Sequence, residues 1–115
     1  MANVTIKNEI NFTAIDKLNM ISVPRDIKKL DKAITITGAI IYDTVDVNTG
    51  EVKAVGAVKT TDGDIYGFTS TTLIECTDMI IDVFTDGASE ITVMPITGQS
   101  NAGRTFYQFK VLNVK

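Results

Sequence analysis

Along most of the chain, apolar and polar residues alternate with a period of two, the pattern of half-buried strands. In Ala33–Asp46, Ile34, Ile36, Ile40 and Tyr42 share one parity with Gly38, which predicts a long strand with a bulge or bend at the glycine. Asp46-Val47-Asn48-Thr49-Gly50 is dense in turn formers. Glu51–Thr60 reads as a second strand, with Val52, Ala54, Gly56 and Val58 on one side and Lys53, Val55, Ala57 and Lys59 on the other. Asp62-Gly63 predicts a hairpin turn, and Ile65–Thr69 a short third strand with Tyr66 and Phe68 on one face.

The period then changes. Leu73, Cys76, Ile80 and Phe84 follow helical spacing, Asp78 and Asp82 lie one turn apart on another side, and Ser70 or Thr71 can cap the start. An amphipathic helix over Thr71–Phe84 follows, ended by Asp86-Gly87. Glu90–Thr97 is a fourth strand, whose Pro95 suits an edge or a bulge. Arg104–Val114 is a fifth, with Tyr107, Phe109 and Val111 on core parity and Phe106, Gln108 and Lys110 on the other. Upstream, Val4, Ile6, Ile10 and Phe12 alternate as in a strand, Ala14–Ser22 reads as a short helical turn ended by Pro24, and Asp26–Asp31 as another turn of helix.

From Ala33 the order is strand, strand, strand, helix, strand, strand. That is the order of an OB-fold: a mainly β, five-stranded barrel with one helix between its third and fourth strands. The expected division is an N-terminal extension, residues 1–32, packed on the domain or used in oligomer contacts, and an OB-like domain over 33–115. OB-folds bind oligonucleotides and oligosaccharides across strands two and three and the adjoining loops.

Composition narrows the chemistry. The chain has 115 residues, no His, no Trp and one Cys. A Ser-His-Asp arrangement and His-dependent metal ligation are therefore impossible, and one Cys makes neither an internal disulfide nor a thiolate metal site. Asp43 with Asp46, and Asp62 with Asp64, are the remaining carboxylate pairs, but both lie in or beside turns. Asp46–Glu51 resembles a calcium loop only at Asp46 and Asn48, because Gly50, Glu51 and Ala57 fall where that pattern wants other residues. Cys76 lies on the apolar side of the helix and reads as an inert thiol. The expectation is a protein that is not an enzyme and uses no metal or cofactor. No apolar run reaches the roughly 20 residues of a membrane-spanning helix, and the N-terminus lacks the pattern of a secretory signal. A cytoplasmic location without membrane contact is expected.

The net charge of −3 is unevenly distributed. Residues 1–90 hold 8 basic and 14 acidic side chains, whereas residues 91–115 hold Arg104, Lys110 and Lys115 and no acid. Aromatic rings and cations share the predicted strands: Lys53 and Lys59 on the second, Tyr66 and Phe68 on the third, and Phe106 and Lys110 on the fifth, just after Arg104. Single-stranded nucleic acid uses this mixture, since bases stack on aromatic rings and cations neutralise phosphates.

Ser100-Asn101-Ala102-Gly103-Arg104-Thr105-Phe106, opening a strand of alternating apolar residues, resembles a segment of the single-stranded-DNA-binding proteins of phages that infect Gram-positive bacteria. That family includes the proteins of the protein-primed, short-tailed Bacillus phages. Asp62-Gly63, Tyr66-Gly67 and Ser70-Thr71-Thr72 also look similar, in the same order and at similar spacing, so the resemblance covers about residues 33–112. It implies an OB-like protein that coats single strands during phage DNA replication in the cytoplasm of the infected host. It points to Asn101, Arg104 and Phe106 as motif positions, and to Tyr66. The expected interface is thus Lys53, Lys59, Tyr66, Phe68, Asn101, Arg104, Phe106 and Lys110. Single-stranded DNA, phage replication proteins and further copies of the chain are the expected partners. A structural or assembly β-domain of a phage particle and an RNA-binding OB-like module are the competing readings.

Overall fold

The computed structural model describes residues 4–22, 25–27, 31–99, 102–103 and 105–115, with Ser22, Arg25, Asp26 and Phe106 described by their backbone. The elements are β1 (Val4–Ile10), α1 (Ala14–Ser22), β2 (Arg25–Asp26), β3 (Ile34–Val45), β4 (Val52–Thr60), β5 (Ile65–Phe68), α2 (Thr71–Thr85), β6 (Ile91–Gln99) and β7 (Thr105–Val114). The protein is mainly β. All seven strands join one sheet in the order β2-β5-β4-β3-β6-β7, with β1 on β3. Every ladder is antiparallel except the short one between β2 and β5.

Two expectations change. The sheet does not close: among the described residues β7 pairs only with β6, so the barrel ladder between the third and fifth domain strands is not formed. α2 lies between the third and fourth domain strands, and among the described residues a second helix, Ala14–Ser22, makes two and a half turns where a short turn was expected. Arg25–Asp26 forms a strand beside Tyr66–Gly67, so the turn of helix expected over Asp26–Asp31 does not begin at Asp26, and its residues 28–30 lie outside the described residues.

β3 organises the molecule because both of its edges are used. One edge pairs with β4 along nearly its whole length. The other takes β6 at Ile34–Ile36 and β1 at Ala39–Thr44. The pairing with β4 shifts register between Ile36 and Gly38, at the predicted glycine. One extra residue in a strand inverts the side-chain alternation that follows. Ile34 and Ile36 therefore pack in one core with Ala39 and Ile41, while Ile40 and Tyr42 pack in a second. The single apolar parity expected across Ile34–Tyr42 is thus split between two faces of the sheet. Gly38 also lets the N-terminal segment cross closely: a Cβ there would stand 2.8 Å from the Asn11 carbonyl oxygen.

The larger core lies under α2 and includes Ile36, Val58, Phe68, Leu73, Phe84 and Val93. Ser70 caps α2, its hydroxyl accepting from the Leu73 N–H at 3.5 Å, and the fully buried Thr77 hydroxyl donates to the Leu73 carbonyl at 2.7 Å. The smaller core is covered by the N-terminal residues, with Phe12 and Met20 set on Ile40, Tyr42, Ala57 and Ile65. A reciprocal capping box starts α1. Thr13 Oγ1 accepts from the Asp16 N–H at 3.2 Å, and Asp16 Oδ2 accepts from the Thr13 N–H at 2.9 Å.

Past Val93, among the described residues, only β7 pairs with β6, so Met94–Gln99 and Thr105–Lys110 form a two-stranded ribbon beyond the start of β3. Pro95 lies in this ribbon, where its missing N–H removes no bond to β3.

Candidate nucleic-acid interface

The structure separates the expected interface residues by availability. Tyr66 and Phe68 are buried, at 8% and 5% exposure. Phe68 meets Phe109 edge to face, with centroids 5.8 Å apart and planes at 76°. Its ring also lies over Gly56, its partner across the β4–β5 ladder, where a Cβ would come within 2.4 Å of the ring. The small residue on β4 and the large one on β5 are therefore one packing unit, and the ring's faces are taken by protein. Tyr66 borders the surface only at its edge.

Lys59 is likewise engaged. Its ammonium donates to Asp16 Oδ2 at 2.7 Å and to the Asn11 carbonyl at 2.7 Å, and it stands 5.7 Å from the centre of the Phe12 ring. Both side chains of the pair are mostly buried, at 18% and 15% exposure. Burial opposes ionisation of Asp16, but the bonds from Lys59 and Thr13 outweigh it and hold the carboxyl below its ordinary value. Lys59 thus clasps the N-terminal segment to β4.

Lys53 and Lys110 are exposed, and neither has an ion pair among the described residues. They do not share a surface with each other. Lys53 stands opposite Thr44 at the β3–β4 turn, whereas Lys110 lies on β7 opposite Met94 in the ribbon, at the other end of β3. The Asp46 carboxylate at that turn accepts from the Asn48 and Thr49 N–H groups, at 2.8 and 3.3 Å, as an ordinary turn residue does. Asn101 and Arg104 lie outside the described residues. The Phe106 backbone is paired with Gly98 in the ribbon. Gln108 and Tyr107, its neighbours on β7, are half-buried, and Phe109 is in the core.

A feature not singled out from the sequence lies near the base of the ribbon. Lys32, Thr35, Thr60, Asp62, Asp64 and the edge of Tyr66 line a hollow of about 200 Å³. Thr60 Oγ1 is buried there with no hydrogen-bond partner among the described residues. Lys32 is exposed beside it. Nothing in the alternation singles out Lys32, because it precedes the first long strand; the hollow arises from the β3 start meeting the β4–β5 turn.

The acid-free segment of the sequence coincides with one structural unit. Residues 91–115 are β6, β7 and their connection. Within it, Lys115 Nζ lies 3.9 Å from Glu90 and Lys110 points no charge at the protein's own acids. Among the described residues no group of three or more Cys, Asp or Glu is arranged to hold a metal ion, and no helix is long and apolar enough to cross a membrane. The chain matches no family model, no curated protein and no solved structure.

Proposed function

We propose that the protein binds single-stranded DNA without sequence preference and protects it during phage DNA replication, with the β6–β7 ribbon as its principal contact. The observation that carries this reading is the ribbon itself. It extends past β3 as a two-stranded arm, it lies within the acid-free segment, and along the sequence its two strands flank the motif that begins at Ser100. A backbone-tracking site needs cations unopposed by acids, and a ribbon offers two faces to a flexible strand. The order β5-β4-β3-β6-β7 also supports an OB relationship, being that of an OB barrel left open between its third and fifth strands.

In this reading Arg104 and Lys110 neutralise phosphates, Phe106 stacks with a base, and Asn101 adds a polar contact. Lys59, Tyr66 and Phe68 support the scaffold rather than the ligand, and Lys53 lies off the track. The test is a fluorescence titration with oligo(dT) and an RNA strand of equal length at several salt concentrations. Affinity for DNA falls with salt, with a slope of about −0.7 per neutralised phosphate. Absence of binding at low salt refutes the reading. Tighter binding of the RNA transfers it to an RNA-binding module.

A further inference from the structure

α2 and β7 do not close on each other completely. Between them runs an apolar groove of about 190 Å³, lined by Cys76, Met79, Val83, Phe109, Val111 and Val114. Met79 is 68% exposed and Val111 52%, although both are large and apolar. Val111 stands on what the alternation marks as core parity, yet it is half exposed in the groove.

The α2 side of this groove is charged in one sense. Glu75, Asp82 and Asp86 recur seven and four residues apart, which places them on one ridge beside Met79 and Val83. All three are exposed, and none has an ion pair among the described residues. α2 carries no basic residue with which to offset them. Asp82 and Asp86 also sit at the C-terminal end of the helix, where the backbone dipole is already negative, and they are spaced i, i+4 as like charges. Within the molecule this arrangement is unfavourable for α2. A cationic partner reverses the sign of each of these terms while burying the exposed apolar side chains.

We infer that the α2–β7 groove docks a basic amphipathic segment of another protein, its apolar side chains seated between Met79, Val83 and Val111 and its Lys or Arg residues against Glu75, Asp82 and Asp86. The charge on the α2 ridge selects this occupant. A nucleic-acid strand is repelled by the ridge, and a second copy would bring two acidic ridges together if the grooves met face to face. The site lies on α2 and the apolar side of β7, so it does not depend on the reading of the ribbon.

Cys76 supplies the assay, being the chain's one thiol and part of the groove lining. The probe is a synthetic 16-residue helix with Leu at i, i+4 and i+7 spacing and Lys or Arg on its flanks, compared with the same peptide carrying Glu in place of the cations. The basic peptide is expected to slow alkylation of Cys76 at least fivefold at saturation, and the acidic one to leave it unchanged. The variant Glu75→Gln/Asp82→Asn weakens peptide binding at least tenfold. Asp31→Asn/Glu51→Gln, which changes net charge equally on exposed residues elsewhere, leaves it within twofold. Equal weakening in both variants means non-specific attraction and overturns the proposal. So does unaltered Cys76 reactivity. Light scattering of the protein alone decides the remaining outcome: a dimer whose formation protects Cys76 assigns the groove to a second copy and also overturns the proposal.

Discussion

β4–β5 and β6–β7 are both antiparallel hairpins carrying aromatic residues and lysines, yet they put these residues to different uses. In β4–β5, each candidate for ligand contact except Lys53, at the far turn, is already in contact with protein. Phe68 fills the space over Gly56 and against Phe109, Tyr66 is buried to its edge, and Lys59 is held by Asp16 and the Asn11 carbonyl. β4–β5 is covered on one face by α2 and on the other by the N-terminal residues. In β6–β7, Phe109 and Tyr107 still pack on the core, but the opposite parity of β7 carries the exposed Lys110. Beyond Val93, among the described residues, β6 pairs with β7 alone. The lesson is that a cation or ring on a strand is available to a ligand only where the sheet runs out of covering layers.

Mutations can break or sharpen this contrast. The largest effect is expected from Phe68→Ala, which opens a cavity between Gly56 and Phe109 and should lower unfolding free energy by about 3–5 kcal/mol in chemical denaturation. If instead it reduced oligonucleotide affinity with stability unchanged, Phe68 would be a ligand contact and the contrast would fail. Gly56→Ala forces a methyl into the same ring and should cost about 1–3 kcal/mol, because both neighbours are fixed by the ladder. Lys59→Met leaves the mostly buried Asp16 carboxylate without its cation, a loss of about 1–3 kcal/mol. It should leave the salt slope of oligo(dT) binding unaltered, which a phosphate contact would not.

The clasp also predicts a pH dependence. The Asp16 carboxyl is held below its ordinary value in the folded protein, so its contribution is complete above the unfolded value, near pH 4, and is lost as pH falls through the folded one. Urea titrations at successive pH values should show a steeper decline in stability below about pH 4 for the wild type than for Asp16→Asn, whose curve lies lower at neutral pH and converges with it in acid. A parallel pair of curves would refute the assignment. The smallest effect on stability, within about 0.5 kcal/mol, belongs to Lys110→Ala. Its signature is in binding, where the salt slope should become shallower by about 0.7. Lys53→Ala should change neither quantity, since it lies at the opposite end of β3.

Much of the local structure is legible in the residues. Thr71–Thr85 is helical because its apolar residues recur at three and four and Ser70 caps it, and Asp46–Gly50 and Asp62–Gly63 turn because their side chains and glycines suit turns. The strands from Ile34 to Val114 follow from alternation to within two residues at either end. The partition of charge that isolates residues 91–115 is likewise a property of the sequence alone.

Availability was decided by the tertiary structure. Lys53 and Lys59 share a strand and a parity, and alternation treats them alike; an aspartate 43 residues before Lys59 distinguishes them. Ile36 and Ile40 share a parity too, and one residue of bulge sends them into different cores. Period fixes which side chains share a face only while register holds, and it carries no information about what covers that face. Both are settled by contacts between residues far apart in the chain: the N-terminal segment crossing Gly38, α2 closing over β4, and β3 ending its pairing with β6 at Val93. For this protein the sequence alone therefore determined the elements, their order and the acid-free segment. The folded chain determined which of its rings and cations remain open to a partner.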